Sequence, residues 1–173
     1  MPTGADDLDA IFEAHHGLVF RTAYRITGNA ADAEDVLQTV FLRLLRREQT
    51  AGALENPESY LRRAAINVAL DAVRSGRDRH SVPIDEVGGL AAHQEPRELR
   101  DALIRSLAHL SPREAEVFAL RFFEDLSNKD IARALGISQV HVAVVLHRAR
   151  TQIRTELDRV HTALAGSMRR QAQ

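Results

Sequence analysis

The sequence predicts an all-α fold of two small helical domains joined by a flexible linker. Apolar residues recur at intervals of three and four in both halves of the chain, and no stretch alternates as a strand does. Between the halves, residues 76–97 contain two prolines and three glycines and show no sustained period. A connection this long is uncommon inside one compact domain. We therefore predict a first domain over 1–75, a linker over 76–97, a second domain over 98–160 and a tail over 161–173.

The first half contains three predicted helices. Helical spacing runs over 8–26, and Gly28 stands where a C-terminal cap belongs. The second helix opens with three acidic residues, which the helix dipole favours at that end. Its predicted apolar stripe comprises Val36, Leu37, Val40, Phe41, Leu44 and Leu45. A break over about 48–56 separates it from a third helix over about 57–74, which has proline at its first position.

The second half contains four predicted helices, of which the first begins soon after the linker. Ser111 and Glu114 form a capping box with proline between them, so a helix starts there. Ser127 and Asp130 repeat the pattern and open a short helix. The inward residues of the last predicted helix are Val142, Val145, Leu146 and Ala149.

Residues 127–150 have the layout of a helix-turn-helix. Gly136 suits the left-handed turn after the short helix, Ile137 suits the core between the two helices, and Ser138 suits the N-cap of the second. Such a unit presents the N-terminal residues of its second helix to the major groove of DNA. The residues at those positions are Gln139, His141, Ala143 and Val144. An ordinary helical hairpin in a bundle core is the alternative interpretation.

Composition excludes several classes of protein. The 173-residue chain is 45% hydrophobic and 27% charged, and it has no cysteine, which excludes a disulfide framework and a thiolate metal site. Its apolar runs are far shorter than the roughly 20 residues that cross a bilayer, and its N-terminus is acidic, unlike a signal sequence. We therefore expect a cytoplasmic protein without membrane insertion.

Charge is unevenly distributed along the chain. Residues 1–75 hold 8 arginines against 11 acidic residues, whereas residues 98–173 hold 12 basic residues against 9 acidic ones. The net charge of −1 therefore conceals a mildly basic C-terminal part. This part suits contact with nucleic acid, and it equally suits a solvated helical surface.

The sequence contains no arrangement typical of an enzyme. His15 and His16 are adjacent, so on a helix they point about 100° apart and cannot face one metal ion. There is no HExxH motif, glycine-rich phosphate loop or nucleophile with a partner base. We therefore expect no enzyme activity, no cofactor, no metal and no small-molecule substrate.

Two separate parts of the chain resemble the extracytoplasmic-function (ECF) sigma factors of bacterial RNA polymerase. The segment LSPREAEVFALRFFEDLSNKDIARALGIS, with LHRAR downstream, is similar to region 4 of this family. The segments FEAHHGLVFRTAYRITGNAADAEDVLQTVFLRLLRR and ESYLRRAAINVALDAVR are similar to region 2. The resemblance covers about 8–75 and 98–159. It implies a transcription initiation factor that binds core polymerase, recognises and melts the minus-10 element, and binds the minus-35 element.

The resemblance also implies a partner for each of three sets of residues. Those implied to dock on the β′ clamp helices of core polymerase are Asp35, Gln38, Thr39, Leu42, Arg43 and Arg46. Those implied to bind minus-10 promoter DNA are Asn56, Arg62, Arg63, Asn67 and Arg74. Those implied to bind the minus-35 element are Arg113, Arg121, Lys129, Gln139, His141, His147, Arg148 and Arg150. The β flap of the polymerase and an anti-sigma factor are further implied partners.

The recognition helix departs from the family pattern. Ala143, Val144 and Val145 stand where the family usually has lysine, serine and arginine. Each lost phosphate contact lowers duplex affinity and its salt dependence. Duplex binding is therefore expected to be weak, to use shape and apolar contact with thymine methyl groups, or to be replaced in part by a protein partner. A sigma-like interaction module with weakened DNA binding is the alternative function, and a stand-alone repressor leaves residues 8–75 unexplained.

Overall fold

A computed structural model describes residues 4–51, 54–75 and 97–171 of the chain. Over these residues it contains seven α-helices and no strand, which confirms the predicted all-α fold class. Not one of the helices described is both long enough and apolar enough to span a membrane. The predicted linker over 76–97 lies outside the described residues except for its last position, where a helix begins.

Two helices extend well beyond the ends that the sequence predicts. The helices are α1 (Gly4–Thr27), α2 (Ala30–Ala51), α3 (Pro57–Ser75), α4 (Arg97–His109), α5 (Pro112–Phe122), α6 (Asn128–Leu135) and α7 (Gln139–Gln171). Helix α2 continues into the predicted break, because residues 48–51 contain neither glycine nor proline. Helix α7 continues through most of the segment expected as a tail, which also lacks proline.

Helices α1, α2 and α3 pack on one another, and a glycine and two asparagines mark their ends. Gly28 has a φ of +72°, the left-handed conformation expected at the end of α1. The Asn29 side chain accepts a hydrogen bond from the Ala31 N–H at 2.8 Å, and Asn56 accepts one from the Ser59 N–H at 2.9 Å. Asparagine caps therefore open α2 and α3. Fully buried side chains between these helices include Val19, Ile26, Val36, Val40, Leu44, Leu61 and Ile66.

The buried stripe of α2 is narrower than the sequence predicts. Leu45 is exposed, although its spacing placed it in the apolar stripe. Val36, Val40 and Leu44 are four residues apart and form a single buried row. Leu45 follows Leu44 directly and is therefore turned about 100° away from that row. As a result, α2 presents a wider face to solvent than expected.

Helices α4, α5 and α6 pack against the first part of α7, and the predicted caps are present. The Ser111 hydroxyl accepts from the Glu114 N–H, and the Glu114 carboxylate accepts from the Ser111 N–H. The Ser127 hydroxyl accepts from the Asp130 N–H, and Gly136 ends α6 with a φ of +64°. The helix-turn-helix is therefore held by local bonds as well as by its core, which includes Leu107, Val117, Leu120, Ile131, Val142 and Ala149.

The two groups of helices, α1–α3 and α4–α7, are in contact with each other. Helix α3 lies against α4 and α5. The buried side chains of both groups form one continuous apolar cluster. This packing places the basic residues of α3 at the boundary between the groups.

Candidate nucleic-acid interface

The outer face of α2 gathers the residues that the resemblance assigns to core polymerase. Leu42 has 53% of its surface exposed and lies between Gln38 and Arg46, one turn away on either side. The residues of this face are Asp35, Gln38, Thr39, Leu42, Arg43 and Arg46, of which all but the half-buried threonine are exposed. The structure therefore presents a polar face with one large apolar side chain at its centre.

The α3 residues assigned to minus-10 DNA contact the second group of helices. Four of the five, Arg62, Arg63, Asn67 and Arg74, make hydrogen bonds or ion pairs with residues of α4–α7 or of the turns between those helices. The fifth, Asn56, is exposed and caps α3. In this conformation most of the predicted minus-10 surface is therefore engaged within the protein.

The carboxylate of Glu116 on α5 is the first anchor of that contact. Glu116 is only 5% exposed. Its Oε1 accepts from Arg63 Nε at 3.1 Å and from Asn67 Nδ2 at 3.2 Å. Its Oε2 accepts from Arg113 Nη1 of its own helix at 3.1 Å. A buried carboxylate is costly unless it is paired and hydrogen-bonded, and here both oxygens are.

Glu124, just after α5, is the second anchor. Its side chain is 3% exposed. Oε1 accepts from the Thr22 hydroxyl at 2.8 Å and from Arg25 Nη1 at 3.4 Å, and Oε2 lies 3.5 Å from Arg62 Nη1. Neither anchor is among the residues predicted from the sequence to be functional. Glu116 lies within the unbroken buried run from Ala115 to Leu120, which shows that α5 is covered on both sides, and Glu124 lies outside that run.

Arginines also reach helix ends in the opposite group. Arg25 donates to the Phe123 carbonyl at the end of α5 at 2.6 Å, and Arg63 donates to a carbonyl in the last turn of α6 at 3.0 Å. Arg74 donates to the Leu110 carbonyl after α4, and Arg100 of α4 donates to carbonyls in the last turn of α1. The last carbonyls of a helix have no partner within it. These arginines therefore satisfy four helix ends across the boundary.

The first turns of α7 carry an open face with apolar residues at its centre. The predicted inward residues Val142, Val145, Leu146 and Ala149 are buried. Val140 and Val144 are 74% and 45% exposed. At about 100° per residue they lie near the middle of the open face, whereas Gln139 and His141 lie at its two edges, about 160° apart. The structure therefore separates the two polar side chains expected to read bases.

Some of the basic residues assigned to minus-35 DNA are bonded within the protein, and others are exposed. Arg113 donates to Glu116, and Arg121 donates to a carbonyl in the turn after α5 at 3.0 Å. The Arg150 guanidinium lies 5.0 Å from the centre of the Phe122 ring, a cation–π distance. Exposed members of the set include Lys129, His147 and Arg148. Lys129 lies in the first turn of α6, and His147 and Arg148 lie on α7.

The start of α6 holds an ionised carboxylate at a helix N-terminus. The Ser127 hydroxyl donates to the Asp130 carboxylate at 2.5 Å and lowers the pKa of that carboxyl, and the nearby charge of Arg133 acts in the same direction. An anion is also favoured by the helix dipole at this position. The hydrogen-bonded pair therefore fixes where the helix-turn-helix begins.

Among the described residues no three His, Cys, Asp or Glu side chains come together in a way that could hold a metal ion. An open groove of about 360 Å³ runs between α5 and α7 and is lined mainly by apolar side chains. Its lining includes Phe118, Phe122, Ile153 and Leu157. The groove lies on the second group of helices, beside the cation–π contact.

Comparison with known proteins identifies the family of the chain that carries these surfaces. Residues 11–79 match the family Sigma-70 region 2, and residues 100–153 match Sigma-70, region 4. The ECF RNA polymerase sigma factor SigL of Mycobacterium tuberculosis is 32% identical over 154 residues, 86% of this chain and 87% of the relative. The RNA polymerase sigma-E factor of Streptomyces coelicolor is 33% identical over 141 residues, 80% and 79% of the two chains. The chain therefore belongs to the ECF sigma factors.

A solved structure shows the same fold. The sigma factor RpoE of Bartonella quintana, crystallised with the anti-sigma factor NepR, aligns with a TM-score of 0.52 and 20% identity over 88% of this chain and 97% of that one. ECF sigma factors are transcription initiation factors, and this chain is one that directs RNA polymerase to promoters. The resemblance seen in the sequence is thus confirmed at the level of family and fold.

Proposed function

We propose that the chain is a dissociable initiation subunit whose α2 face docks on the β′ clamp helices of core polymerase. The observation that carries this proposal is the exposed Leu42 at the centre of a polar helix face. An apolar anchor ringed by polar groups is the usual arrangement of an interface hot spot. Asp35 and Arg43 on the same face supply charges that orient the partner.

Helix α3 is the proposed minus-10 surface. Arg63, Asn67 and Arg74 are spaced by four and seven residues and share one row of the helix. Arginines placed along one helix row can bind the phosphate backbone of a displaced DNA strand, and an amide can hydrogen-bond to its base edges. Binding in this way requires α4–α7 to move away, because the same side chains are engaged with that group in the structure. Arg62 and Asn56 complete the proposed set.

The recognition helix is proposed to read the minus-35 element partly through apolar contact. Val140 and Val144 form the middle of its open face, with Gln139 and His141 at the edges. The methyl group of thymine projects into the major groove and is recognised by apolar side chains. Exposed cations such as Arg148 then hold the helix in register through phosphates. The expected site is duplex DNA with thymines opposite the two valines.

Further partners follow from the same assignment. The apolar groove lined by Phe118, Phe122 and Leu157 is the proposed seat of the β flap. An anti-sigma factor is the proposed inhibitor, as the Bartonella relative was crystallised with one. Nucleotidyl transfer and its magnesium belong to the polymerase, so we propose that the chain is itself no enzyme and needs no cofactor. Its site of action is then the cytoplasm, where promoter DNA is.

The test is run-off transcription with purified core polymerase over a library of promoter sequences. We expect transcripts that require the protein and that disappear with Asp35→Arg plus Leu42→Arg, because one arginine replaces the apolar anchor and the other reverses the charge beside it. The matched control is Glu13→Arg plus Ala10→Arg, which adds the same charge on exposed positions of α1. Transcripts that survive the α2 changes would contradict the docking proposal.

A second test addresses the recognition helix. Replacing thymine by deoxyuracil in the selected minus-35 duplex removes only the C5 methyl group. We expect the duplex to bind several-fold less tightly, and the loss to disappear in Val140→Ala plus Val144→Ala. Ala143→Lys adds a phosphate contact and should steepen the plot of log affinity against log salt by about 0.9. Equal binding of both duplexes would contradict the apolar readout.

The exposed valines also support a second candidate function. A sigma-like interaction module would use Val140 and Val144 as part of a protein contact. Such a module binds core polymerase and starts no transcription from any promoter of the library. Tight binding to core together with silence in the run-off assay would favour this function over initiation.

A further inference from the structure

We propose that a second copy of this chain binds to the outer face of α1, with the two α1 helices antiparallel about a two-fold axis at Gly17. The α1 face lies opposite the buried side of the helix and comprises Ala10, Glu13, Gly17, Arg21 and Tyr24. All but the half-buried glycine are exposed. The proposal rests neither on the docking of α2 nor on the assignment of α3. It adds a partner beyond polymerase, promoter DNA and an inhibitor.

Two opposite charges without a partner flank the centre of the α1 face. Glu13 and Arg21 are exposed, and each lies four residues from Gly17. Neither forms an ion pair with any residue that the structure describes. They are about 12 Å apart along the helix axis, too far to pair with each other. In an antiparallel pair of helices, residues equally distant from the two-fold axis face each other. Glu13 of each copy therefore meets Arg21 of the other, and two ion pairs form.

The fold of the single chain does not require a glycine at the centre of this face. Among the described residues, the glycines with positive φ are Gly28 and Gly136, so the conformation of Gly17 is open to any residue. A Cβ added at Gly17 would approach only the flexible side chain of Arg21, whose Nη1 would lie 3.0 Å away. Glycine is a poorer helix former than alanine, but it permits another backbone to approach closely. A close crossing of two helices at this point gives the glycine a physical reason.

The outer positions of the face are complementary in size. Ala10 and Tyr24 lie seven residues before and after Gly17, so they also face each other in the antiparallel pair. Tyr24 is 37% exposed, and its ring stacks on that of Phe20 with the ring centres 6.2 Å apart. The small side chain of Ala10 leaves room for this ring. A tyrosine seated on an alanine is then the apolar contact of the interface, and it too occurs twice.

The charges also select the orientation of the two helices. A parallel pair would place Glu13 beside Glu13 and Arg21 beside Arg21, which like charges disfavour. Residues spaced by four form an oblique ridge on a helix, and two such ridges pack at a crossing angle of about 50°. Glu13, Gly17 and Arg21 lie on one such ridge. Because the same face is used by both copies, the contact closes on itself and assembly stops at a dimer.

One pair of crossed helices makes a small interface, which sets the expected strength of the dimer. Small contacts with a wet, polar rim are weak and transient. We therefore expect an equilibrium between monomer and dimer that depends on protein concentration. Its ion pairs are at the surface, so added salt should weaken it.

The test is sedimentation velocity of the full chain without polymerase, over about 1 to about 500 µM in low salt. We expect the mass to rise with concentration from one chain toward two. Glu13→Arg alone and Arg21→Glu alone should each weaken the dimer at least about tenfold, because both place like charges at the two pairs. The matched control is Arg105→Glu, at an exposed position of α4, which changes the net charge as Arg21→Glu does and should leave the dimer intact.

A mixing experiment identifies the pairing itself. An equimolar mixture of the Glu13→Arg chain and the Arg21→Glu chain should form the dimer again, because both pairs then join opposite charges. Variants that fail to fold would not recover in this way. Gly17→Leu should abolish the dimer without lowering the melting temperature of the monomer, since leucine is the better helix former.

Three results would overturn the dimer. They are a wild-type chain that stays monomeric over the whole range, a dimer that survives both single charge reversals, and single variants that do not associate when mixed. The run-off control Glu13→Arg plus Ala10→Arg should lack the dimer and keep its transcripts, because the dimer belongs to the free chain. Sedimentation needs no polymerase, so a failure of the dimer is distinguishable from a failure of the sigma-factor mechanism.

Discussion

The surfaces proposed to bind partners differ in accessibility: the one on α3 is closed, and those on α2 and α7 are open. On α3, Arg63 and Asn67 are bonded to a buried carboxylate of the other group of helices. On α2 and on the first turns of α7, by contrast, Leu42 and Val140 are exposed. The closed surface is polar and cationic, and the open ones have apolar residues at their centres.

The contrast shows why one surface closes and the others do not. Arginine and asparagine side chains carry several donors, and such donors readily find carboxylates and helix-end carbonyls inside the same chain. An exposed leucine or valine side chain has no donor that a carboxylate or a carbonyl could bind. The polar surface on α3 can therefore be covered by other parts of the same chain, whereas the surfaces with apolar centres on α2 and α7 stay exposed to a partner.

The largest expected effect is on the free energy of unfolding, and it distinguishes a buried leucine of α2 from an exposed one. Leu44→Ala should lower the free energy of unfolding by about 2–5 kcal/mol, because Leu44 is fully buried. Leu42→Ala should change it by less than about 0.5 kcal/mol and should still weaken binding to core polymerase. Urea denaturation followed by circular dichroism, with a polymerase binding assay, measures both. A strongly destabilised Leu42→Ala would mean that the α2 face is not open.

The next largest effect distinguishes an arginine of the closed surface on α3 from an arginine of the open surface on α7. Arg63→Ala should lower the free energy of unfolding by about 1–3 kcal/mol, because buried Glu116 loses a charged donor. Arg148→Ala should leave stability within about 0.5 kcal/mol and reduce the salt slope of duplex binding by about 1. Thermal unfolding and a salt titration give the two numbers. Equal losses of stability in the two variants would contradict the distinction between a closed surface on α3 and an open one on α7.

A smaller effect tests whether the open surface on α7 depends on the local caps before it. Ser127→Ala removes the hydroxyl that accepts from the Asp130 N–H and should cost about 1 kcal/mol. Thr155→Ala, on an exposed turn of α7, is the control and should change stability little. Melting temperatures of the two variants check the prediction. A Ser127→Ala protein as stable as the control would show that packing alone holds α6.

The smallest expected effect is a pH dependence at the same cap. The pKa of Asp130 is lowered from its ordinary value of 3.8, chiefly by the hydrogen bond from Ser127. Because the folded pKa is the lower one, the stabilisation is present above the unfolded pKa and is lost as pH falls through the folded value. Asp130→Asn should therefore melt below the wild type at neutral pH, and the difference should close at acid pH. A difference independent of pH would show that ionisation of Asp130 contributes nothing.

Much of the fold was predictable from the sequence. The helix periods, the capping box at Ser111, the serine N-cap at Ser127, and the turns at Gly28 and Gly136 were found in the structure as predicted. The family was predictable as well, because two separate motifs matched in the right order. Leu45 was the exception: it lies about 100° from the buried row, and whether a side chain at that angle is covered depends on how closely neighbouring helices approach.

The candidate site was predictable only in part. The residues of the α2 face are neighbours along one helix, so the sequence places them together. The split of Gln139 and His141 to opposite edges of the recognition helix also follows from helix geometry, once the buried side of α7 is known. Glu116 and Glu124 carried no signal strong enough to mark them as partners of α3.

By itself, the sequence determined the helices, their caps and the family of the protein, because these depend on spacing within a few residues and on short motifs. Only the tertiary structure decided which donors meet which anions. Arg63 and Glu116 are 53 positions apart in the chain, and Thr22 and Glu124 are 102 apart. Contacts over such separations depend on how the two groups of helices pack, and that packing closes α3 while it leaves α2 and the start of α7 open.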